Sequence, residues 1–133
     1  MKGGAPMSID LEKVKTICVV GLRNNRTRPA YYVADYLKNR GIRIIPVNPM
    51  GEDALGEKGY KCISDIPSDI KVDLADFFIN SERVLPLVEE ALQRGIKNIW
   101  LQQGVVCPEA TEKVKEYDAK IEMNKCIKMA YMY

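Results

Sequence analysis

The chain has 133 residues, 47% of them hydrophobic and 29% charged, with a net charge of +2; this is the balance of one globular domain with one core and excludes a strongly basic nucleic-acid binder. It contains no histidine, which excludes a Ser-His-Asp hydrolase, argues against a typical zinc enzyme and leaves any catalysis to carboxylates, lysine, tyrosine or cysteine. No apolar run nears the ~20 residues of a membrane span and the start lacks an apolar secretory segment, so a cytoplasmic protein without a membrane partner is expected.

Residues 1–7 are expected as a disordered tail. Ser8 is placed to cap a short helix through Lys15, with Ile9, Leu11 and Val14 as its apolar contacts. "TICVVG", Thr16 to Gly21, is a β-branched run ending at glycine and predicts a strand buried on both faces. Pro29 suits the first position of a helix, with Thr27 or Arg28 near its cap. Ala30, Val33, Ala34 and Leu37 share one helical face, and Gly41 ends the helix. "RIIPV", Arg43 to Val47, predicts a second strand; Pro46 lacks a ladder donor and requires a strand end or an unpaired side. A long connection follows, with a short strand expected near Tyr60 to Cys62. Val72 to Ile79 predicts a third long strand. Ser81 to Arg94 predicts a helix with Val84, Val88, Ala91 and Leu92 inward, its first turn disturbed by Pro86. Asn98 to Gly104 is a strand and its loop. Pro108 opens a helix with Ala110, Val114 and Tyr117 on one side. Lys120 to Met123 is the last strand, followed by a short tail.

Strands and helices alternate, and the connections are too long for hairpins. The fold class is therefore α/β, a single doubly wound, mainly parallel five-stranded sheet with helices on both faces, Rossmann-like. Ligands in such sheets bind beyond the carboxyl ends of the strands. The first of these ends is "GLRNNRTRPAYYV", Gly21 to Val33. Only Gly21 matches a Gly-x-Gly-x-x-Gly dinucleotide fingerprint. The helix start offers N–H groups and a positive dipole end, and Arg23, Arg26 and Arg28 can add charge-assisted bonds to phosphate. A phosphate-binding loop is favoured over a solvated basic turn.

The second strand ends in Asn48-Pro49, without the acid that NAD sites place there. That leaves room for a phosphorylated ribose, or for a plain turn. Phe78 can pack on an adenine face or in the core; Asn80 and Ser81 can meet a ligand, or Ser81 can cap its helix. Gln102 and Gln103 offer amide bonds, and alternation sends only one of them toward the ligand. Gly104 permits close backbone approach. Among the cysteines, Cys18 is expected in the core. Cys107, at a helix start, and Cys126, at the binding edge, are the two candidates for a reactive thiol.

The series "VVGLRNNRTRPAYYVADYL", "GIRIIPVNP", "LGEKGYKCISDIP", "VDLADFF", "SERVLPLVEEAL", "GIKNIWLQQGV" and "MNKCIKM" resembles the small stand-alone CoA-binding proteins with a Rossmann-type domain. These are similar to the CoA-binding domain of succinyl-CoA synthetase α subunits and of ADP-forming acyl-CoA synthetases. The resemblance runs from about Thr16 to Met129, and residues 8–133 form the domain. It implies coenzyme A or an acyl-CoA as cofactor, with Gly21, the loop Arg23, Asn25, Arg26, Thr27, Arg28 and Pro29 and the helix start at the phosphates. Asn48, Pro49 and Phe78 would border the adenosine, and Gln102 and Gly104 would lie toward the other wall. The chain departs from the family at Arg23 and Ala30, where serine is frequent, and at Ile79, where arginine is common. The synthetases' catalytic histidine and nucleotide-grasp domains have no counterpart. The resemblance therefore implies a carrier, sensor or accessory module without catalytic machinery, and leaves open a homodimer or a larger assembly. The alternatives are an NADP-binding module or small oxidoreductase, and a CoA-linked thiol redox sensor.

Overall fold

The computed structural model describes residues 8–133; the expectation for the first seven residues lies outside them. Five strands, β1 (Thr16–Val20), β2 (Arg43–Val47), β3 (Leu74–Phe77), β4 (Asn98–Leu101) and β5 (Lys120–Glu122), form one parallel sheet in the order β2-β1-β3-β4-β5. Four helices complete the fold: α1 (Pro29–Asn39), α2 (Val84–Arg94), α3 (Pro108–Glu116) and α4 (Ile127–Met132). The doubly wound α/β expectation holds. The chain winds outward from β1 to β2, then returns across β1 to lay β3 on its other side. The switch point lies between β1 and β3, whose carboxyl ends remain paired while the chain runs on to α1 on one face and α2 on the other, and a crevice opens there.

Both faces of the sheet are covered. Ile17, Val19, Leu74 and Trp100 pack against Ala30, Val33, Ala34 and Leu37 of α1 and Ile127 of α4. Cys18, Val20, Ala75, Phe77, Ile99 and Leu101 pack on the other face against Val84, Val88, Ala91 and Leu92 of α2 and Ala110 and Val114 of α3. These sets are the helical faces expected from 3.6-residue periodicity. Pro46 sits in edge strand β2, where a missing donor is tolerated. The first turn before α2 is irregular: the helix begins at Val84, and Pro86 occupies its first turn.

Three expectations are corrected. Ser8 does not cap the first turn; Asp10 does, accepting from the Glu12 N–H at 3.2 Å, and the turn is a 3-10 helix of three residues, Leu11–Lys13. A carboxylate two residues closer reaches the open N–H better than the more distant hydroxyl. The strand near Tyr60 is a single parallel bridge to Val47, because Lys61 onward turns away into a 3-10 turn, Ile63–Asp65. The tail after β5 is helical. Its residue Ile127 is fully buried, and the Tyr131 hydroxyl donates to the Leu11 carbonyl at 3.1 Å. A ladder of cations and rings runs along the α1–α4 seam: Lys128 lies over Tyr32 and Tyr36, and Arg40 over Tyr36 and Tyr131.

The long connection from Gly51 to Ile70 is fastened by Arg94 at the end of α2. Its guanidinium donates to four carbonyls, those of Ile63, Ile66, Pro67 and Ile70, at 2.7–3.1 Å. No helix among the described residues is long and apolar enough to cross a membrane.

Candidate functional site

The crevice begins at Gly21, whose φ is +102°. Its N–H donates to the Val47 carbonyl at 2.7 Å, and an added Cβ would stand 2.6 Å from the Phe78 carbonyl oxygen. Only glycine lets the chain leave β1 this close to the end of β3. Leu22 then buries itself, and Arg23 through Pro29 form an exposed loop. Asn25 Oδ1 accepts from the Thr27 backbone N–H at 3.1 Å and from its hydroxyl at 2.7 Å, and the Arg28 N–H donates to the Asn25 carbonyl. Asn25 and Thr27 thus shape the loop. Arg28 stands at the N-cap of α1 and makes no side-chain cap bond, and Pro29 begins the helix. The start of an 11-residue helix therefore faces the crevice with a guanidinium beside it.

The space falls into two basins. A polar basin of about 620 Å3 is lined by Gly21, Arg23, Asn24, Asn25, Arg26, Arg28 and Glu52. A more apolar crevice of about 580 Å3 adjoins it, sharing Gly21 and Arg28. Its walls are Pro29, Ala30, Tyr32 and Val33 of α1, Phe78, Ile79 and Asn80 after β3, Gln102 to Val105 after β4, and Cys126 before α4. A larger groove, about 910 Å3, lies at the opposite edge beside Lys15, Ile42 and Tyr131. It opens at the amino ends of β1 and β2, away from the switch point, so the site is assigned to the paired basins.

Of the residues expected from sequence, Gly21, Arg23, Asn25, Arg26, Arg28, Pro29, Phe78, Asn80, Gln102 and Gly104 line one basin or both. Arg23 is engaged: its Nε donates to Glu52 Oε1 at 3.2 Å. Asn48 is a correction. It is 2% exposed, its Nδ2 donates to the Leu22 and Glu52 carbonyls, both at 2.9 Å, and its Oδ1 accepts from the Met50 and Glu52 N–H groups. Three of these bonds fold the loop after β2 on itself and one ties it to the loop after β1, so the amide has no capacity left for a ribose. Thr27, Pro49 and Ser81 do not line the basins. The Ser81 hydroxyl accepts from the Val106 N–H at 2.9 Å and joins the approach to α2 to the loop before α3. It is not the cap of α2, whose N-cap is Arg83. Both glutamines reach the crevice, Gln102 from inside and Gln103 at the exposed rim. Strand β4 stops at Leu101, so alternation no longer separates them.

Five lining residues escaped the sequence reading: Asn24, Tyr32, Val33, Glu52 and Val105. Tyr32 and Val33 sit one turn inside α1, and the helix start at Pro29 was the available signal. Nothing in the sequence pointed to Glu52, which Asn48 carries to the site. Of the cysteines, Cys126 lines the crevice, while Cys107 is buried, with its Sγ 3.7 Å from Glu109 Oε1. Burial, and next the Asp76 carboxyl, push the Cys18 thiol up to about 12, so Cys18 is an inert core residue as expected. No cluster of three or more potential metal ligands exists among the described residues.

A five-stranded parallel sheet flanked by helices, with an arginine-lined basin beyond the carboxyl ends of its strands, defines the Rossmann-like α/β class. Within that class the CoA-binding domain family model matches residues 15–132, and the chain belongs to this family. It is 36% identical over 121 residues to the uncharacterized protein YneT of Bacillus subtilis, covering 91% of this chain and 88% of YneT. It is 31% identical over 114 residues to an ADP-forming acetate–CoA ligase (II) of Archaeoglobus fulgidus, covering 84% of this chain but only 16% of the ligase. A hypothetical protein from Pyrococcus horikoshii superposes with a TM-score of 0.88 at 30% identity, over 99% of this chain and 97% of its own. The family resemblance and the Rossmann-like fold inferred from sequence are borne out.

Proposed function

We propose that the paired basins bind coenzyme A or an acyl-CoA, and that the protein acts in the cytoplasm as a carrier, sensor or accessory module without its own catalytic machinery. One observation carries this reading: a cationic basin opens through Gly21 and Arg28 into a mainly apolar crevice. Coenzyme A has the same division, a phosphorylated nucleotide joined to a long uncharged chain. Arg26 and Arg28 offer planar donors suited to phosphate oxygens, and the start of α1 adds a favourable dipole. Family membership supports the same ligand. Ala30 and Ile79 make the crevice more apolar than serine and arginine would at those positions.

Calorimetric titration with CoA, acetyl-CoA, NAD and NADP tests the proposal. CoA or acetyl-CoA is expected to bind and the dinucleotides to bind far more weakly. No CoA binding at millimolar ligand, with clear NADP binding, sinks it in favour of the dinucleotide alternative. A second reading rests on Cys126 in the crevice wall. There an external oxidant takes two electrons, and the Cys126 and CoA thiols each release a proton as the mixed disulfide forms. Intact mass after oxidation in the presence of CoA decides this, because the adduct is CoA-sized and disappears on reduction.

A further inference from the structure

Gln102 is 4% exposed, yet only half of its amide is used. Oε1 accepts the Ile127 N–H, the first of α4, at 3.0 Å. That bond requires the oxygen on this side and so fixes the orientation of the group. Nε2 then points away with two donors and no protein partner among the described residues. The only side-chain polar atoms among these residues that are both fully enclosed and unpaired are the two Asp76 oxygens. Gln102 Nε2 therefore keeps an outlet, and the outlet is the crevice that Gln102 lines. Facing the crevice, this donor has no protein acceptor, and a ligand acceptor placed there completes the amide's hydrogen bonding.

The surroundings specify the acceptor. Around Gln102 the crevice presents Val33, Phe78, Ile79, Val105 and Cys126, and its one cation, Arg28, is shared with the polar basin. An anion at Gln102 would be desolvated without a counter-charge, whereas a carbonyl oxygen needs only the neutral donor. We propose that Gln102 couples occupation of the crevice to the seating of α4, donating from Nε2 to an amide or thioester carbonyl of the ligand while Oε1 holds Ile127. This rests on the CoA reading above, since the amide-bearing chain of CoA supplies the carbonyl. A ligand that fixes Nε2 also fixes Oε1, and the start of α4 with it.

Hydrogen–deuterium exchange of the full chain, alone, with CoA and with adenosine 3′,5′-bisphosphate, separates the possibilities. The bisphosphate is the nucleotide half without the amide chain. CoA is expected to slow exchange across residues 127–132 by about three- to tenfold, the worth of one neutral hydrogen bond. The bisphosphate is expected to leave that segment unchanged. In parallel, Gln102→Met should weaken CoA by about three- to tenfold and shift the bisphosphate far less. CoA binding with unaltered exchange in α4, or equal losses for both ligands, overturns the coupling and leaves the CoA reading standing. If Gln102→Met fails to fold, the exchange of the unmodified chain decides alone. Absence of any CoA binding overturns both.

Discussion

Asp76 lies in the middle of β3, between Val19 and Trp100 on the neighbouring strands, with no exposure and no hydrogen-bond partner for either oxygen among the described residues. Burial holds its carboxyl well above the usual carboxylate range. Between the unfolded and folded values the folded chain binds more protons than the unfolded one. The stability from this group is therefore complete below the unfolded value near 3.8 and is lost as pH rises through the folded value. Asp76→Asn should stabilise the protein at pH 8 by more than about 1 kcal/mol and flatten the decline, as read by urea unfolding across pH. A loss of stability at pH 8 would show that the charge is matched by a partner. Asp76 was legible only as one letter of an apolar run, because burial of a carboxyl between strands depends on the sheet order. At the site, Arg26→Ala and Arg28→Ala should each weaken CoA by about 1.5–3 kcal/mol per lost charged bond, measured calorimetrically; an unchanged dissociation constant marks a surface charge. Gly21 was readable because a glycine at a strand end announces a turn. The full use of the Asn48 amide was not, since its partners are main-chain groups of residues 22, 50 and 52.

The strands and long helices could be read from β-branched runs and from apolar residues three and four apart, and they differ from expectation by a few residues at their ends. Helix α4 could not. Six residues offer little periodicity, and so short a helix has marginal stability of its own. Tertiary contacts hold it: Ile127 in the core, Gln102 and Trp100 at its approach, Tyr131 on Leu11, and the cation–ring ladder. Ile127→Ala should therefore cost about 2–5 kcal/mol of stability, seen as a lowered denaturation midpoint. The Arg94 clasp was equally hidden, because its acceptors are main-chain atoms 24 to 31 residues away. Arg94→Lys keeps the charge but loses the fork, and four carbonyls cannot then be served together. A cost of about 2–3 kcal/mol in unfolding free energy is expected, with protease sensitivity appearing between residues 63 and 70. Resistance there equal to that of the unmodified chain would show the loop holds itself.

Across the whole molecule, the net charge of +2 gives little long-range attraction for an anion. Attraction is concentrated at one edge of the sheet, where three arginines share a basin with a single carboxylate, Glu52. CoA affinity should accordingly fall between 50 and 500 mM salt, and replacing Arg26 and Arg28 together by alanine should flatten that slope. The same edge gathers the ends of β1, β3 and β4 and the approach to α4. Trp100 stands beneath it, the single tryptophan of the chain, fully buried, with its indole N–H donated to the Lys125 carbonyl at 2.9 Å. The protein thus carries its own optical gauge. Its tryptophan emission, excited apart from the seven tyrosines, belongs to one dry indole anchored to the strap leading into the final helix, and a red shift would signal, without any added dye, that this strap has let water in.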